Sequence, residues 1–314
     1  MLPGRIDADV TCGTAPRRPG YPDPDPARRA GVDPEERTMA VDDEELQSWR
    51  EILAEDPRGW AFDDLRGYAE DAAPWRFDTL ARSLVQMSHD LLDIGTGGGE
   101  FLAALAEDLP EVTAATESQA QNLSLARERL EPLGVKVAEH DPRSPGAALP
   151  FASESFDLVL DRHAAFSSPE VARVLAPGGI FLTQQVGADD LAELIDLFGL
   201  QTPFPDSTPE HVERELTVAG LRIERSGAFR GRALFSDMPS LLRYLRRVPW
   251  TAPEDLSVDT HRDQLEDLAA RIADGPLVLA TSRFWIQARR PEAPEASVTD
   301  FSRLLDDLPT VPEV

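Results

Sequence analysis

Apolar positions in the first part of the chain follow helical spacing. Leu46, Trp49, Ile52 and Leu53 recur at i, i+3 and i+4 intervals and predict a helix over Asp42 to Ala54. Trp60 to Tyr68 is richer in aromatics and reads as a loop or short helix. A helix opened by Pro74 carries Phe77, Leu80, Ala81, Leu84 and Val85 on one face. From Leu91 onward short apolar runs alternate with helical text. Strands are predicted at Leu91 to Ile94, Val112 to Ala115, Val135 to Ala138, Ser155 to Leu160 and Ile180 to Val186. Helices are predicted between them at Glu100 to Leu109, Asn122 to Leu130 and Ser168 to Leu175. Ser168 and Pro169 mark a helix start, and Ala176-Pro177-Gly178-Gly179 marks its stop.

The later text predicts helices at Asp189 to Phe198 and Pro209 to Ala219, then a strand at Leu221 to Ser226. Helices at Ser236 to Arg247 and Asp259 to Ala273 precede a last strand or strand pair, Leu277 to Thr281 and Phe284 to Ala288. Regular alternation of strand and helix implies a doubly wound sheet, with ligands beyond the carboxyl ends of its strands.

The stretch LLDIGTGGGEFL, from Leu91 to Leu102, concentrates the candidate chemistry. Gly95, Gly97, Gly98 and Gly99 fit neither strand nor helix interior, so they form a tight turn where backbone approaches something closely. Strand, glycine turn and helix together make the geometry of a nucleotide-type cofactor site. A dinucleotide fingerprint needs glycine where this chain has Glu100. A pyrophosphate would also meet the carboxylates of Asp93 and Glu100, whereas a cationic cofactor suits them. Glu117 ends the next strand, 24 residues after Asp93, where an acid is placed to accept ribose hydroxyls.

Composition changes the picture in two respects. The net charge is −26 over 314 residues, which disfavours a polyanionic partner such as nucleic acid. Residues 1–38 hold seven prolines and no periodic apolar face, so they read as a disordered leader. Translation starting at Met39, where foldable text begins, is an expectation of the same reading. The lone Cys12 lies in that leader and permits no intramolecular disulfide. No signal-peptide core and no apolar run of spanning length are visible, so a soluble, cytoplasmic protein with no membrane partner is expected. The five histidines show no metal-ligand spacing.

Asp93, Gly95, Gly97 and Gly99 satisfy D/E-x-G-x-G-x-G, and the stretch resembles motif I of the class I S-adenosylmethionine-dependent methyltransferases. FDLVL at Phe156 to Leu160 and RVLAPGGIFLTQQVG at Arg173 to Gly187 are similar to the text around strands four and five of that family. The resemblance covers about residues 90–187 and is of the methyltransferase type 11 kind, close to a bacterial subgroup whose motif reads GTGGGE. It implies a Rossmann-like sheet of seven strands, mostly parallel with an antiparallel closing strand. It further implies an N-terminal helical cap over 39–88, a catalytic domain over 89–290 with a helical insertion at about 236–275, and an acidic, proline-containing tail over 291–314. S-adenosyl-L-methionine would be held by Asp93, Gly95, Thr96, Gly97, Gly99, Glu117, Asp141 and Asp161, with Asp141 where the family contacts the adenine amino group.

Asp161-Arg162-His163 follows strand four, where the resemblance places acceptor-side residues. His163 is the candidate general base, against a bland reading as a packing or capping residue. Arg162, Gln184 and Tyr244 are candidate acceptor-binding residues, and Gln184 and Gln185 should point to opposite faces. The bland reading of Tyr244 and the arginines around it is a solvated basic helix face. The expected activity is methyl transfer to a small molecule. The alternatives are an RNA (ribosomal RNA) or protein methyltransferase, and a silent S-adenosylmethionine-binding protein. The oligomeric state is left open by the sequence.

Overall fold

The computed structural model describes residues 41–55, 62 and 64–292. The leader and Met39, Cys12, Trp60, Phe301, Leu304, Leu305 and the tail from residue 293 lie outside the described residues. Five strands form the parallel body: β2 (Asp90–Ile94), β3 (Val112–Glu117), β4 (Lys136–Glu139), β5 (Phe156–Arg162) and β6 (Leu175–Val186). β7 (Arg222–Phe235) and β8 (Leu277–Arg289) complete it, with β8 antiparallel between β6 and β7. A short β1 (Tyr68–Glu70) pairs antiparallel with the end of β7, so the sheet has eight strands in the order β1-β7-β8-β6-β5-β2-β3-β4. The doubly wound α/β sheet is as expected. The eighth strand is a correction, because Tyr68 to Glu70 is too short to show a period and is ordered only by pairing with Ala233 to Phe235.

One face of the sheet packs α2 (Phe77–Val85), α3 (Glu100–Ala103) and α4 (Ala120–Leu130) against Leu91, Leu158, Leu160 and Leu182. The other packs α5 (Ser168–Val174) and α7 (Pro209–Val218) against Leu92, Val159, Phe181 and Ile286. The central strand β2 is buried from Leu91 to Ile94 on both faces, as a strand covered by helices on each side must be. A third core gathers α1 (Asp43–Ala54), α6 (Ala192–Leu197), α8 (Met238–Arg247) and α9 (Arg262–Ala273) around the ends of β7 and β8. Leu46, Trp49 and Ile52 of α1 enter this cluster with Leu241, Leu242 and Leu245 of α8. Asp42 caps α1 by accepting the Glu45 N–H (2.8 Å), and Asp237 caps α8 by accepting the Ser240 N–H (2.7 Å).

Some predicted elements change length. α3 has four residues where ten were expected. Arg82 of α2 donates to the Ala104 carbonyl (2.8 Å) and bonds Asp108, which draws the chain out of the helix after one turn. α2 starts at Phe77 and not at Pro74, and no side chain caps α5. Pro177-Gly178-Gly179 lies within β6, where Gly178 adopts a positive φ of 79° and the ladder shifts register. The last two apolar runs form one continuous strand, β8.

Candidate active site

The β2–α3 turn is a run of left-handed backbone. Gly95, Gly97 and Gly99 have φ values of 65°, 62° and 81°, which L side chains adopt only at a cost. A Cβ on Gly95 would lie 2.2 Å from the Ala164 Cβ, and one on Gly99 would lie 2.8 Å from Leu130 side-chain carbons. The turn is fastened to β3 from beneath. Thr96 N–H donates to the Thr116 carbonyl (2.9 Å), and Gly97 N–H donates to Glu117 Oε2 (2.8 Å). Glu117 Oε1 accepts the N–H groups of Ser118 and Gln119, both at 2.8 Å. One carboxylate at the end of β3 therefore shapes both the glycine turn and the start of the following segment. Oε1 is filled by two donors, while Oε2 keeps a lone pair beyond its bond to Gly97.

Asp93, near the end of β2, is 3% exposed, and burial pushes its carboxyl pKa up to about 7, with the Thr96 hydroxyl and Arg162 opposing the rise and the Glu117 charge adding to it. Thr96 Oγ1 is itself buried beside this carboxyl. Asp141 lies just past β4 and is exposed. Its oxygens accept the Arg143 N–H (3.0 Å) and the Ser144 hydroxyl (3.2 Å), so in this structure it shapes its own turn. The site reaches it through β3: the His140 N–H donates to the Glu117 carbonyl (3.0 Å).

The ends of β5 and β6 divide their polar residues between the two faces. Gln185 turns to one side, where its amide donates to Asp161 Oδ1 and to the Ala164 carbonyl (3.1 Å). Thr183 Oγ1 donates to the same Asp161 oxygen (2.9 Å). Asp161 is fully buried, and desolvation raises its pKa well above the ordinary aspartate value. Its carboxyl is engaged within the sheet and holds the 162–164 turn. The expected cofactor contact would have to come from its backbone, since side chains of neighbouring strand residues point to opposite faces.

Gln184 turns to the opposite face, as the alternation requires. Trp75 Nε1–H donates to Gln184 Oε1 (2.7 Å), and Gln184 Nε2 lies 2.9 Å from His163 Nε2. An indole N–H only donates, so the Gln184 oxygen is the acceptor and its amide nitrogen is the donor. His163 Nε2 then accepts, and the ring proton resides on Nδ1. The residue as a whole is exposed, and desolvation, with Arg162 and Arg283 nearby, holds the imidazole pKa below the usual value of 6.5. In this arrangement the Nε2 lone pair of His163, one of the two ring positions a general base could use, is engaged by Gln184. His163 also has a left-handed backbone, φ 62°, held by its N–H bond to the Gln184 carbonyl (2.8 Å).

Arg162 pairs with Gln184 across the sheet and lays its guanidinium over the Phe101 ring, 5.3 Å from the centroid. Tyr244 is not brought to this group. It is 4% exposed in an aromatic stack with Phe62 (5.2 Å), Tyr68 (5.2 Å) and Phe235 (5.1 Å), as a member of the third core. Sequence reasoning missed Phe229 and Trp285, which meet Trp75 beside Gln184 at centroid distances of 6.3 Å and 6.5 Å. No local motif marks them; their signal is cross-strand register. It also missed a cluster in which Arg283 bridges Glu70 (2.8 Å) and Asp190 (2.5 Å).

The residues around the turn fit S-adenosylmethionine. The buried Thr96 hydroxyl, the free lone pair of Glu117, the acid Asp93 and the Cβ-free turn offer acceptors and close backbone to a cationic nucleoside. Among the described residues no group of His, Cys, Asp and Glu could hold a metal, and no helix is long and apolar enough to cross a membrane.

Residues 92–183 match the family model described as a methyltransferase domain. A 23S rRNA (guanine(748)-N(1))-methyltransferase of Streptomyces fradiae is 31% identical over 116 residues, covering 35% of this chain and 38% of the relative. A ubiquinone/menaquinone biosynthesis C-methyltransferase of Pseudoalteromonas translucida is 30% identical over 119 residues, covering 34% of this chain and 47% of the relative. The matches thus span less than half the length of either relative. Among solved structures, the YcgJ protein of Bacillus subtilis is 18% identical with a TM-score of 0.48, over 69% of this chain and 99% of that one. The domain match begins in β2, runs through the glycine turn and Glu117, and ends in β6, so the segment that builds the candidate site is the part of the chain that is similar to a methyltransferase domain.

Proposed function

We propose that this protein transfers a methyl group from S-adenosylmethionine to a small-molecule acceptor in the cytoplasm. The observation that carries the cofactor reading is the left-handed glycine turn clasped by Glu117 through Gly97. In this reading Glu117 Oε2 accepts a ribose hydroxyl and Asp93 faces the positive end of the cofactor. The backbone of Gly95 to Gly99 lines its path, with Thr96 Oγ1 as an added donor or acceptor. Asp141 lies where the adenine amino group would come, and the backbone of Asp161 borders the site. Catalytic function is assigned to residues 89–290, with 236–275 as an insertion and 39–88 supporting it.

The bound cofactor supplies a methyl carbon already activated by its sulfonium, so the protein's task is alignment and exclusion of water. Gln184 fixes the His163 ring in one tautomer, and the Nδ1–H is left to donate to an acceptor. Asp161, buried beneath it, keeps the Arg162–Ala164 turn in place together with Gln185. No proton acceptor with a free lone pair is needed if the acceptor arrives already nucleophilic.

The net charge of −26 supports a small acceptor over RNA, while the Streptomyces fradiae relative keeps the RNA reading as an outcome of the test. Purified protein is incubated with methyl-labelled S-adenosylmethionine and the metabolite, RNA or protein fraction of a cell extract. Label is expected in the metabolite fraction alone. Label in RNA or protein would replace the reading, and cofactor binding with no labelled fraction would favour a silent binding protein.

A further inference from the structure

The inference rests on the methyl-transfer reading and names the class of acceptor. Arg162, Gln184, Trp285 and Gly227 are register partners across β5, β6, β8 and β7, so their side chains share one face at the carboxyl end of the parallel strands. The next row on that face is Val186, Arg283 and Phe229. Gly227 permits the indole to lie over it, because a Cβ there would come within 2.7 Å of Trp285 Nε1. Trp75 descends onto the same face, with its ring at 48° to Trp285 and edge-on, at 87°, to Phe229. All three rings remain only partly buried. Three large, partly exposed rings beside polar residues form an apolar corner.

The polar side of the corner carries both signs of charge, and its carboxylates gather at Arg283. Arg162 is seated on Phe101, has no carboxylate within ion-pair distance among the described residues, and is the register partner of Gln184. Asp78 and Asp93 act on it only at longer range, and Asp78 is engaged with Arg76 at 3.0 Å. Arg283, the other cation on this face, is consumed by Glu70 and Asp190. His163 adds an Nδ1–H donor, because its Nε2 accepts from Gln184. Gln184 itself spends its oxygen on Trp75 and one amide proton on His163. The free hydrogen-bonding groups are therefore donors, one of them a guanidinium whose planar fork matches a carboxylate.

We propose that the acceptor is a planar aromatic acid, its ring against Trp75, Trp285 and Phe229 and its carboxylate on Arg162. Calorimetric titration of the full chain with 2-naphthoate and with 2-naphthamide tests this, with and without S-adenosylhomocysteine. The measurement reads acceptor binding alone, so loss of the methyl-transfer reading would appear separately as failure of the nucleoside to bind. Saturable 2-naphthoate binding is expected, with 2-naphthamide about 10- to 100-fold weaker. Arg162→Gln should weaken the acid by a similar factor and leave the amide unchanged. Trp285→Ala should weaken both ligands alike. If that variant does not give a cooperative melt, Phe229→Leu on the more exposed strand takes its place. Absence of saturable naphthoate binding, equal affinity for acid and amide, or an Arg162→Gln protein that binds naphthoate as before would each overturn the proposal.

Discussion

Replacing Glu117 by Gln perturbs two functions of one side chain at once. In the native structure its carboxylate accepts three backbone N–H bonds, from Gly97, Ser118 and Gln119, all at 2.8 Å. An amide in the same place offers one oxygen and one NH2. If the oxygen keeps the Ser118 and Gln119 donors, the NH2 must face the Gly97 N–H, donor against donor. The loss of one hydrogen bond to a charged acceptor is worth about 1.5–3 kcal/mol. That loss falls on the glycine turn, so the variant should melt some 3–12 °C lower, at about 2–4 °C per kcal/mol for a domain of this size. Cofactor affinity should fall by about 10- to 100-fold, because the same oxygen is assigned to the ribose. A double-mutant design separates the two effects. Adenosine and 2′,3′-dideoxyadenosine are titrated against both proteins. The wild type should discriminate between them by tenfold or more, and Glu117→Gln should discriminate little. A variant that melts normally would refute the clasp, and equal discrimination by both proteins would refute the ribose contact.

The remaining predictions concern titrating groups. Asp93 has a pKa raised to about 7, so below that value the free protein holds a neutral acid that a cationic cofactor must ionise. Affinity for S-adenosylmethionine should therefore rise from pH 6 to pH 8 with release of a proton, seen as a buffer-dependent heat. Asp93→Asn should abolish the dependence, and an unchanged profile in that variant would assign it elsewhere. His163 has a depressed pKa and stays neutral from the usual value of 6.5 upward, so the rate should show no rising limb there. His163→Ala should raise KM for the acceptor and leave the shape of the pH profile unaltered; a wild-type limb near pH 6.5 that the variant loses would restore the base.

Much of this molecule is determined by its sequence alone, because local rules suffice where neighbours in the chain are neighbours in space. The parallel strands from Leu91 to Val186 announce themselves as short apolar runs between helical text. Glycine adopts the φ values found at Gly95, Gly97 and Gly99 without the cost they impose on other residues, so the turn is legible in the letters. The spacing from Asp93 to Glu117 marks one strand, one helix and the next strand, which places both acids at adjacent strand ends. Gln184 and Gln185 must diverge because strand side chains alternate.

What only the tertiary structure decides depends on residues far apart in the chain. Tyr244 has the composition of a binding aromatic, yet α1 and the end of β7 close over it, and burial makes it core. The tautomer of His163 depends on Trp75, 88 positions earlier, which orients Gln184 against its Nε2. Asp161 reads as an acid at a strand end until Thr183 and Gln185 enclose it and desolvation raises its pKa. Trp285 and Phe229 carry no motif, and they join Arg162 only through the register of four strands. Sequence spacing records which residues can share an element. Protonation state, tautomer and exposure follow from what packs against that element, which the spacing does not contain.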